Sequence, residues 1–444
     1  MSSLHTHAPH LTREEILAGT SKPVAAWIRT ACLVLSAIGL LAFVAGLFLA
    51  PDRAWQSLHF NWLMFTTVSS AGVMFVAVQR ITTARWSRTV IRFLEGYVAW
   101  LPVAFVILLL LVSVGKGHIF PWTHEPIPGP EKQLYLGNTL FFTLRVLGVY
   151  AILTALSVWY IYTCVRLDVG HSPEGGAKWA RSLRERMRRG FRDERREIHS
   201  THSLQGKLAV VLGFAFVFGW IVLAWDLSMS LDPHFFSTMY GWWVFMSGWV
   251  AMLASFTLLT MAWRRHLRRD DLITEHHFHD LGKLCFAFTA FWGYITFGQY
   301  LVIWYGNISE ETHWMRLRLM DPWKGLTLSV VALMFVLPFF GLLSRAAKVY
   351  LPTMALFATC TVVGLWLHRY LEIYPSIYGA AANLPFGVWE LAIGLGCLGL
   401  WGLCYIAFMD AFPRMRVTLI TSPYRDEVQV PVDPKTMEPL PAHE

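Results

Sequence analysis

The sequence predicts an all-α polytopic membrane protein with about ten transmembrane helices. Hydrophobic residues make up 55% of its 444 residues and charged residues only 15%, against roughly 25% charged residues in an ordinary soluble domain. One spanning helix needs about 20 apolar residues, and ten apolar runs have that length. The runs lack the alternation of outer-membrane barrel strands. The composition therefore excludes a soluble globular enzyme, a disordered chain and a fibre.

The apolar runs define the helices in chain order. We place them at residues 25–50, 60–80, 89–114, 136–165, 208–230, 235–262, 280–305, 325–344, 350–373 and 385–410. A weak repeat relates His59-Phe60, followed by Gly72, to His234-Phe235, followed by Gly248. The two copies lie four spans apart and so share one orientation, as in a parallel repeat. This predicts two four-helix bundles, helices two to five and six to nine, flanked by helices one and ten.

The remaining segments complete the domain organisation. The N-terminal tail lacks a basic region followed by a short apolar core, so no cleaved signal peptide is expected. The tail after helix ten is rich in proline and is expected to lie extended along a neighbour or to be partly disordered. The predicted units are a tail at 1–24, the first helix and an outer loop at 25–59, the first bundle at 60–230 with a basic loop at 166–207, the second bundle at 235–373, the tenth helix at 385–410 and a tail at 411–444.

The distribution of Lys and Arg sets the orientation. Most of the 37 Lys and Arg residues fall on the side that carries both termini, the 166–207 loop and the loop after helix six. By the positive-inside rule this side is cytoplasmic. The segment Lys178–Arg196 predicts a surface helix that contacts anionic lipid or a partner subunit. Nothing around it resembles a fold that enters a nucleic-acid groove.

No redox centre is predicted in this chain. The six cysteines lie in apolar stretches and form neither C-x-x-C nor C-x-x-C-H, so neither a covalent haem nor an iron–sulfur framework is indicated. Most of the 17 histidines lie in tails and loops, and none falls at the centre of a predicted helix. Any redox centre would therefore belong to a partner subunit.

Ionisable residues within or beside the spans are the candidate functional residues, because burying each in hydrocarbon costs at least a few kcal/mol. They enter from both membrane faces, with hydroxyls and amides between them, which predicts two half-channels for protons. An ion pair of Arg145 with Asp226 is the structural alternative for those two residues. The candidate proton-path residues are Glu95, Arg145, Asp226, Asp232, Asp280, Lys283, His368, Arg369, Glu372, Glu390 and Asp410.

A second set of residues could receive the proton of a quinol. Asp226, Asp232 and His234 lie close together in the run WDLSMSLDPHFF. Two carboxylates and an imidazole at one outer turn could relay protons. Alternatively, Asp232-Pro233 is a turn with a helix cap. Both interpretations remain open at the level of the sequence.

Three segments resemble one known family. They are ARWSRTVIRFLEG (84–96), WDLSMSLDPHFFSTMYGWWVFMSG (225–248) and HDLGKLCFAFTAFWGYITFGQYLVIWYGNISEET (279–312). The chain is similar over about 25–410 to the ActF membrane subunits of bacterial alternative complex III, relatives of the NrfD and PsrC quinol-interacting subunits. The two longer segments carry most of the resemblance. The tails are outside it.

The resemblance implies a ten-helix subunit of a quinol:cytochrome c, or high-potential iron–sulfur protein, oxidoreductase in the bacterial inner membrane. It implies no redox cofactor in this chain. Its partners would be lipids, a homologous ActC-like subunit holding the principal quinol site, an iron–sulfur subunit, pentahaem and monohaem c-type cytochromes, and a terminal oxidase. Its own role would be anchoring and proton conduction. The family-like candidates are Asp226, Asp232, His234, Asp280, Lys283 and Gln299.

Two alternatives stand beside this expectation. The chain could itself bind and oxidise quinol, with Asp226, Asp232 and His234 as its site. It could instead be an independent transporter or a purely structural anchor. Transporters break helices near the midplane in both halves, and the sequence repeats show no such paired breaks.

Overall fold

The computed structural model describes residues 12–20, 22–172, 174–426 and 428. All the regular secondary structure within these ranges is helical. Ten helices are long and apolar enough to cross a membrane, which confirms the predicted fold class. We number these ten helices α1 to α10. Their bounds are Ala26–Leu49, Pro51–Ile81, Ile91–Ser113, Thr139–His171, Glu194–Leu227, Tyr240–Leu267, Glu275–Gly306, Lys324–Gly341, Leu351–Tyr378 and Val388–Ala411.

Two of the spanning helices change their winding. α3 contains a 3₁₀ turn at Gly96–Ala99, and α8 contains a π-turn at Ala332–Val336. Short helices lie outside the spans. They are Arg13–Thr20, Lys116–Ile119, Pro121–Thr123, Pro130–Leu136, Lys178–Ala180, Arg181–Arg188, Met229–Leu231, Ser309–Leu319, Arg345–Val349, Val417–Thr421 and Pro423–Asp426.

The helix contacts group the spans as two four-helix bundles. In the first bundle α2 and α4 each pack against α3 and α5. In the second bundle α7 and α9 each pack against α6 and α8. α1 packs along α10, and both contact α2. α2 also contacts α6 and α9, and nearly all of its residues from Ala54 to Ala77 are buried. α2 is therefore the central helix that joins both bundles to the α1–α10 pair.

The prediction of an outer loop between helices one and two is wrong. α1 ends at Leu49 and α2 begins at Pro51, so only Ala50 separates them. Proline at the first position and Asp52 in the first turn favour a helix start there. The polar residues of these first turns interrupt the apolar run, which is why hydropathy placed the start at 60.

The proposed His-Phe repeat does not relate equivalent positions. His59 lies more than two turns inside α2, whereas His234 precedes α6, which begins at Tyr240. The two-bundle architecture is therefore present without that sequence correspondence. It follows from the order in which neighbouring helices pack.

The basic loop at 166–207 is mostly helical. α4 continues to His171 and α5 begins at Glu194. The connection between them contains the helix Arg181–Arg188, in the predicted surface segment. We call the side that carries this connection and the two described terminal segments the basic face.

The described part of the C-terminal tail folds back on the chain rather than lying extended. Arg414 donates to the carbonyl oxygen of Thr20 at 3.0 Å. The backbone N–H of Thr418 donates to a carboxylate oxygen of Asp168 at 2.9 Å. These partners could not be predicted from the sequence, because they come from distant parts of the chain. Residues 1–11 and 429–444 of the predicted tails lie outside the described residues.

The contact between α1 and α10 depends on two facing glycines. A Cβ atom on Gly396 would collide with the backbone of Gly39, and the reverse holds for Gly39. Such close helix contacts in membranes are made by small residues.

Replacing Gly396 by valine should lower the free energy of unfolding by about 1–3 kcal/mol, because the added atoms have no space. The matched control is Gly148→Val in α4, where an added Cβ meets no atom within 4 Å. Thermal unfolding in detergent should show a lower midpoint for the first variant only. Equal midpoints would contradict the close packing of α1 on α10.

Candidate functional site

An ion pair is buried where α9 meets α6 and α2; we call it and its polar partners the central cluster. Arg369 and Glu372 lie one turn apart on α9, form an ion pair, and are both 0% exposed. Arg369 donates to the carbonyl oxygen of Val244 at 2.7 Å and to the hydroxyl of Thr67 at 3.3 Å. The guanidinium therefore links three helices from both bundles.

The carboxylate of Glu372 is surrounded by proton-bearing groups. It accepts a hydrogen bond from the Ser228 hydroxyl and one at 3.4 Å from the Tyr240 hydroxyl. The imidazole of His368 lies 3.8 Å from it and packs on the Trp243 ring, with centroids 4.4 Å apart. Neither nitrogen of His368 has a hydrogen-bond partner among the described residues. The three predicted residues His368, Arg369 and Glu372 therefore form one cluster.

A further arginine reaches the central cluster from outside the spans. Arg318, in the helix Ser309–Leu319, donates to the carbonyl oxygen of Glu372 and to the Ser376 hydroxyl, both at 2.8 Å. Its guanidinium lies 3.5 Å from the centroid of the Trp314 ring. Burial lowers the pKa of Arg318 to about 10. The partners of Arg318 lie on another helix, so its residue type and position in the sequence did not mark it as a candidate.

A second buried cluster, the basic-face cluster, consists of Arg92, Glu95, Asp168 and Arg416. Arg92 pairs with Glu95 at 2.5 Å and with Asp168. Arg416, from the C-terminal tail, pairs with the other oxygen of Glu95. Two positive and two negative charges therefore balance inside the protein. Only Glu95 was predicted, since the other three residues join it through tertiary structure.

A cavity connects the basic face with this cluster. It measures about 80 Å³ and is lined by the ends of α2, α4 and α5 together with the C-terminal tail. Asp168 and Arg416 form part of its wall, with Tyr160, His202 and Gln205 nearby on the same wall. Polar groups thus extend from the protein surface to the partners of Glu95.

Asp410 belongs to a separate network at the basic face. It pairs with Arg29 at 2.5 Å and with Arg414 at 2.9 Å. Because Arg414 also bonds to the carbonyl oxygen of Thr20, Asp410 fastens the start of α1 and both terminal segments to α10. Its partners indicate a structural role.

Arg145 and Asp226 form the predicted ion pair in the first bundle. Two nitrogens of Arg145 bond to the two carboxylate oxygens of Asp226 at 2.8 and 2.7 Å. The guanidinium also lies 3.7 Å from the centroid of the Tyr135 ring. Asp226 is 0% exposed and Arg145 only 12%. The pair ties α4 to α5.

Asp232 and His234 do not join Asp226 in one pocket. Asp226 is held by Arg145, while His234 is exposed. A carboxylate oxygen of Asp232 accepts a hydrogen bond from the backbone N–H of His234 at 3.2 Å. This is the hydrogen bond of a turn, as in the structural interpretation of Asp232-Pro233.

Glu390 is buried at the end of the molecule away from the basic face. It pairs with Arg53 at 2.6 Å and accepts hydrogen bonds from the Tyr374 hydroxyl at 3.0 Å and the Gly387 N–H at 2.8 Å. Tyr374 in turn contacts the Ser57 hydroxyl at 3.0 Å. This network joins α2, α9 and α10.

Asp280 and Lys283 pair with each other at 2.7 Å, but their side chains are 29% and 56% exposed. A surface ion pair of this kind contributes little, typically about 0–1 kcal/mol. The structure therefore separates these two residues from the buried clusters. Gln299 is buried in α7.

Two histidines lie further inside their helices than the sequence predicts. His59 is 0% exposed within α2 and His368 is 1% exposed within α9. Both were misplaced because α2 begins earlier and α9 ends later than the apolar runs. Neither ring nitrogen of His59 has a hydrogen-bond partner among the described residues.

No protein-family model matches the chain, and no curated protein is significantly similar to it. Within the described ranges, no group of three or more His, Cys, Asp or Glu residues is arranged to hold a metal ion. Besides their arginines, the two clusters contain carboxylates, one imidazole and hydroxyls, all of which can exchange protons.

Replacing Arg145 by glutamine should lower the free energy of unfolding by about 3–5 kcal/mol, because it leaves the Asp226 carboxylate buried without its cation. Adding Asp226→Asn should recover a large part of that loss. Thermal unfolding of the single and double variants measures the coupling. Asp280→Asn is the surface control and should change stability by no more than about 1 kcal/mol. Additive losses at Arg145 and Asp226 would contradict the pairing.

Proposed function

We propose that this chain is a membrane subunit of a respiratory quinol:cytochrome c, or high-potential iron–sulfur protein, oxidoreductase of the alternative complex III type. It carries no redox cofactor of its own. It anchors the complex and provides two proton half-channels, one from each membrane face. The basic face is cytoplasmic in this proposal, as the positive-inside rule predicts.

The observation that carries the proposal is the presence of two wholly buried carboxylates in clusters at different depths. Glu95 lies near the basic face and Glu372 lies where the bundles meet, and each is 0% exposed. Ionisable groups inside a membrane protein are expensive and commonly mark ion or proton pathways. The 80 Å³ cavity offers the Glu95 cluster access from the basic face.

Hydroxyl groups occupy the region between the two clusters. Tyr97 follows Glu95 by two residues, and its hydroxyl contacts that of Ser255 on α6 at 2.8 Å. On α2, Ser70 is 5% exposed and lies one turn from Thr67, which contacts Arg369. Hydroxyls both donate and accept protons, so they suit a path along the joint of α2, α3 and α6.

The segments that resemble ActF contribute residues to both clusters. Segment 84–96 includes Arg92 and Glu95. Segment 225–248 includes the Glu372 partners Ser228 and Tyr240. Segment 279–312 includes Trp292, whose ring lies 5.8 Å from that of His368. This placement links the resemblance to the two clusters of the proposed proton path. In the proposed complex the partners of the chain are an ActC-like subunit, an iron–sulfur subunit and c-type cytochromes.

Quinol oxidation by this chain has less support from the geometry. The carboxylate of Asp226 is engaged by Arg145, and the three residues of the suggested quinol set do not share a pocket. The purely structural anchor remains the main competitor, and the experiment below separates it from proton conduction.

In the purified complex reconstituted into vesicles, Glu95→Gln and Glu372→Gln should each reduce the protons moved per electron. A glutamine amide keeps the shape of the carboxyl group but cannot exchange its proton at useful rates. Proton transfer by a positioned group typically contributes about a hundredfold or more to rate. We therefore expect the number of protons moved per electron to fall at least about tenfold. The measurement combines quinol:cytochrome c turnover with a pH dye inside the vesicles.

Asp280→Asn serves as the matched carboxyl control, because that residue is at the surface. Subunit content and haem spectra show whether each variant complex has assembled. Assembled Glu95 and Glu372 variants with an unchanged proton-to-electron ratio would leave only the anchoring role.

A further inference from the structure

A lateral gap separates α9 from α10 in the membrane-spanning region. Both helices pack against α2, but their backbones approach each other closely at very few positions, and they meet directly in the hydrogen bond from Tyr374 to Glu390. Between them lies a cavity of about 330 Å³. Its size falls in the range of small-ligand pockets, about 300–1,000 Å³. We call this cavity the α9–α10 groove.

The groove opens on the apolar outer surface of the helices and reaches the interior. At its mouth Val363 is 45% exposed and Leu395 is 44% exposed. Its deep wall includes Met64, Val68 and Ala251, which are at most 7% exposed. The groove is therefore continuous with the surface that faces the hydrocarbon of the bilayer.

Among the described residues, every polar side-chain group that lines the groove already has a hydrogen-bond partner. The indole N–H of Trp366 donates to Asn61 at 2.9 Å, and that of Trp401 donates to Ser69 at 2.9 Å. The Ser255 hydroxyl is bonded to the carbonyl oxygen of Met252 and contacts Tyr97. Within the part of the chain that the structure describes, no charged residue lines the cavity. These lining residues therefore leave no free hydrogen-bond donor for a quinone ring.

We propose that the α9–α10 groove binds one acyl chain of a bilayer phospholipid. Phospholipid chains are the most abundant apolar molecules at this depth, and a chain fills a long cavity without needing a polar partner. The bound chain would replace the missing contacts between α9 and α10 and pack against α2. The proposal does not depend on proton conduction.

The test uses a phospholipid that carries a diazirine midway along one acyl chain. The full-length chain, with the subunits that remain bound after purification, is placed in phosphatidylethanolamine–phosphatidylglycerol vesicles containing this probe. After illumination, peptide mass spectrometry locates the adducts. We expect adducts on the deep-wall residues Met64, Val68 or Ala251, which lipids on the outer surface cannot reach. Adducts on Phe48, which is 83% exposed, report ordinary surface lipid.

Val363→Trp should abolish the deep-wall adducts by filling the mouth, and leave the Phe48 adducts unchanged. The matched control is Val44→Trp, because Val44 on α1 is also 45% exposed but lies outside the groove. It should keep the deep-wall adducts. Thermal unfolding verifies that both variants are folded.

Three results would overturn the proposal. The first is a wild-type protein labelled only on exposed residues. The second is deep-wall labelling that survives Val363→Trp. The third is displacement of the deep-wall adducts by an equimolar long-chain quinone, which would assign the groove to an isoprenoid tail.

Discussion

The structure depends on one constraint, which is that a carboxylate in the membrane interior must touch a guanidinium. Hydrocarbon provides no solvation for an isolated charge, and breaking a buried pair is strongly destabilising. Buried carboxylates in or beside the spans accordingly lie against arginines. These pairs include Arg92–Glu95, Arg92–Asp168, Arg416–Glu95, Arg145–Asp226, Arg369–Glu372, Arg53–Glu390 and Arg414–Asp410.

Among these pairs, three join two different spanning helices and two join a span to the C-terminal tail, so charge pairing and helix packing depend on each other. Arg145 and Asp226 fix α4 to α5, and Arg53 and Glu390 fix α2 to α10. Arg369 bonds from α9 to α6 and α2. Because lipid tails give helices no hydrophobic reason to associate, such polar links and close packing of small residues determine which helices are neighbours.

Each of the two buried clusters contains an arginine from a segment outside the spans. The central cluster draws a second arginine, Arg318, from a helix beyond the spans. The basic-face cluster draws Arg416 from the C-terminal tail, without which Arg92 would face two carboxylates alone. In both, a segment outside the membrane supplies a cation to a group inside it.

The amino-acid sequence is enough to locate the ten spans, because length and hydropathy are properties of each segment alone. It also identified most of the buried carboxylates, since a charge within an apolar run is conspicuous. The packing of the helices and tails determines which cation most of these carboxylates contact. Arg416 and Arg318 reach their clusters only through that packing. It also moved the start of α2 to Pro51 and placed Asp280 with Lys283 at the surface. Hydropathy cannot report these features, because helix ends and ion pairs depend on contacts between segments far apart in the chain.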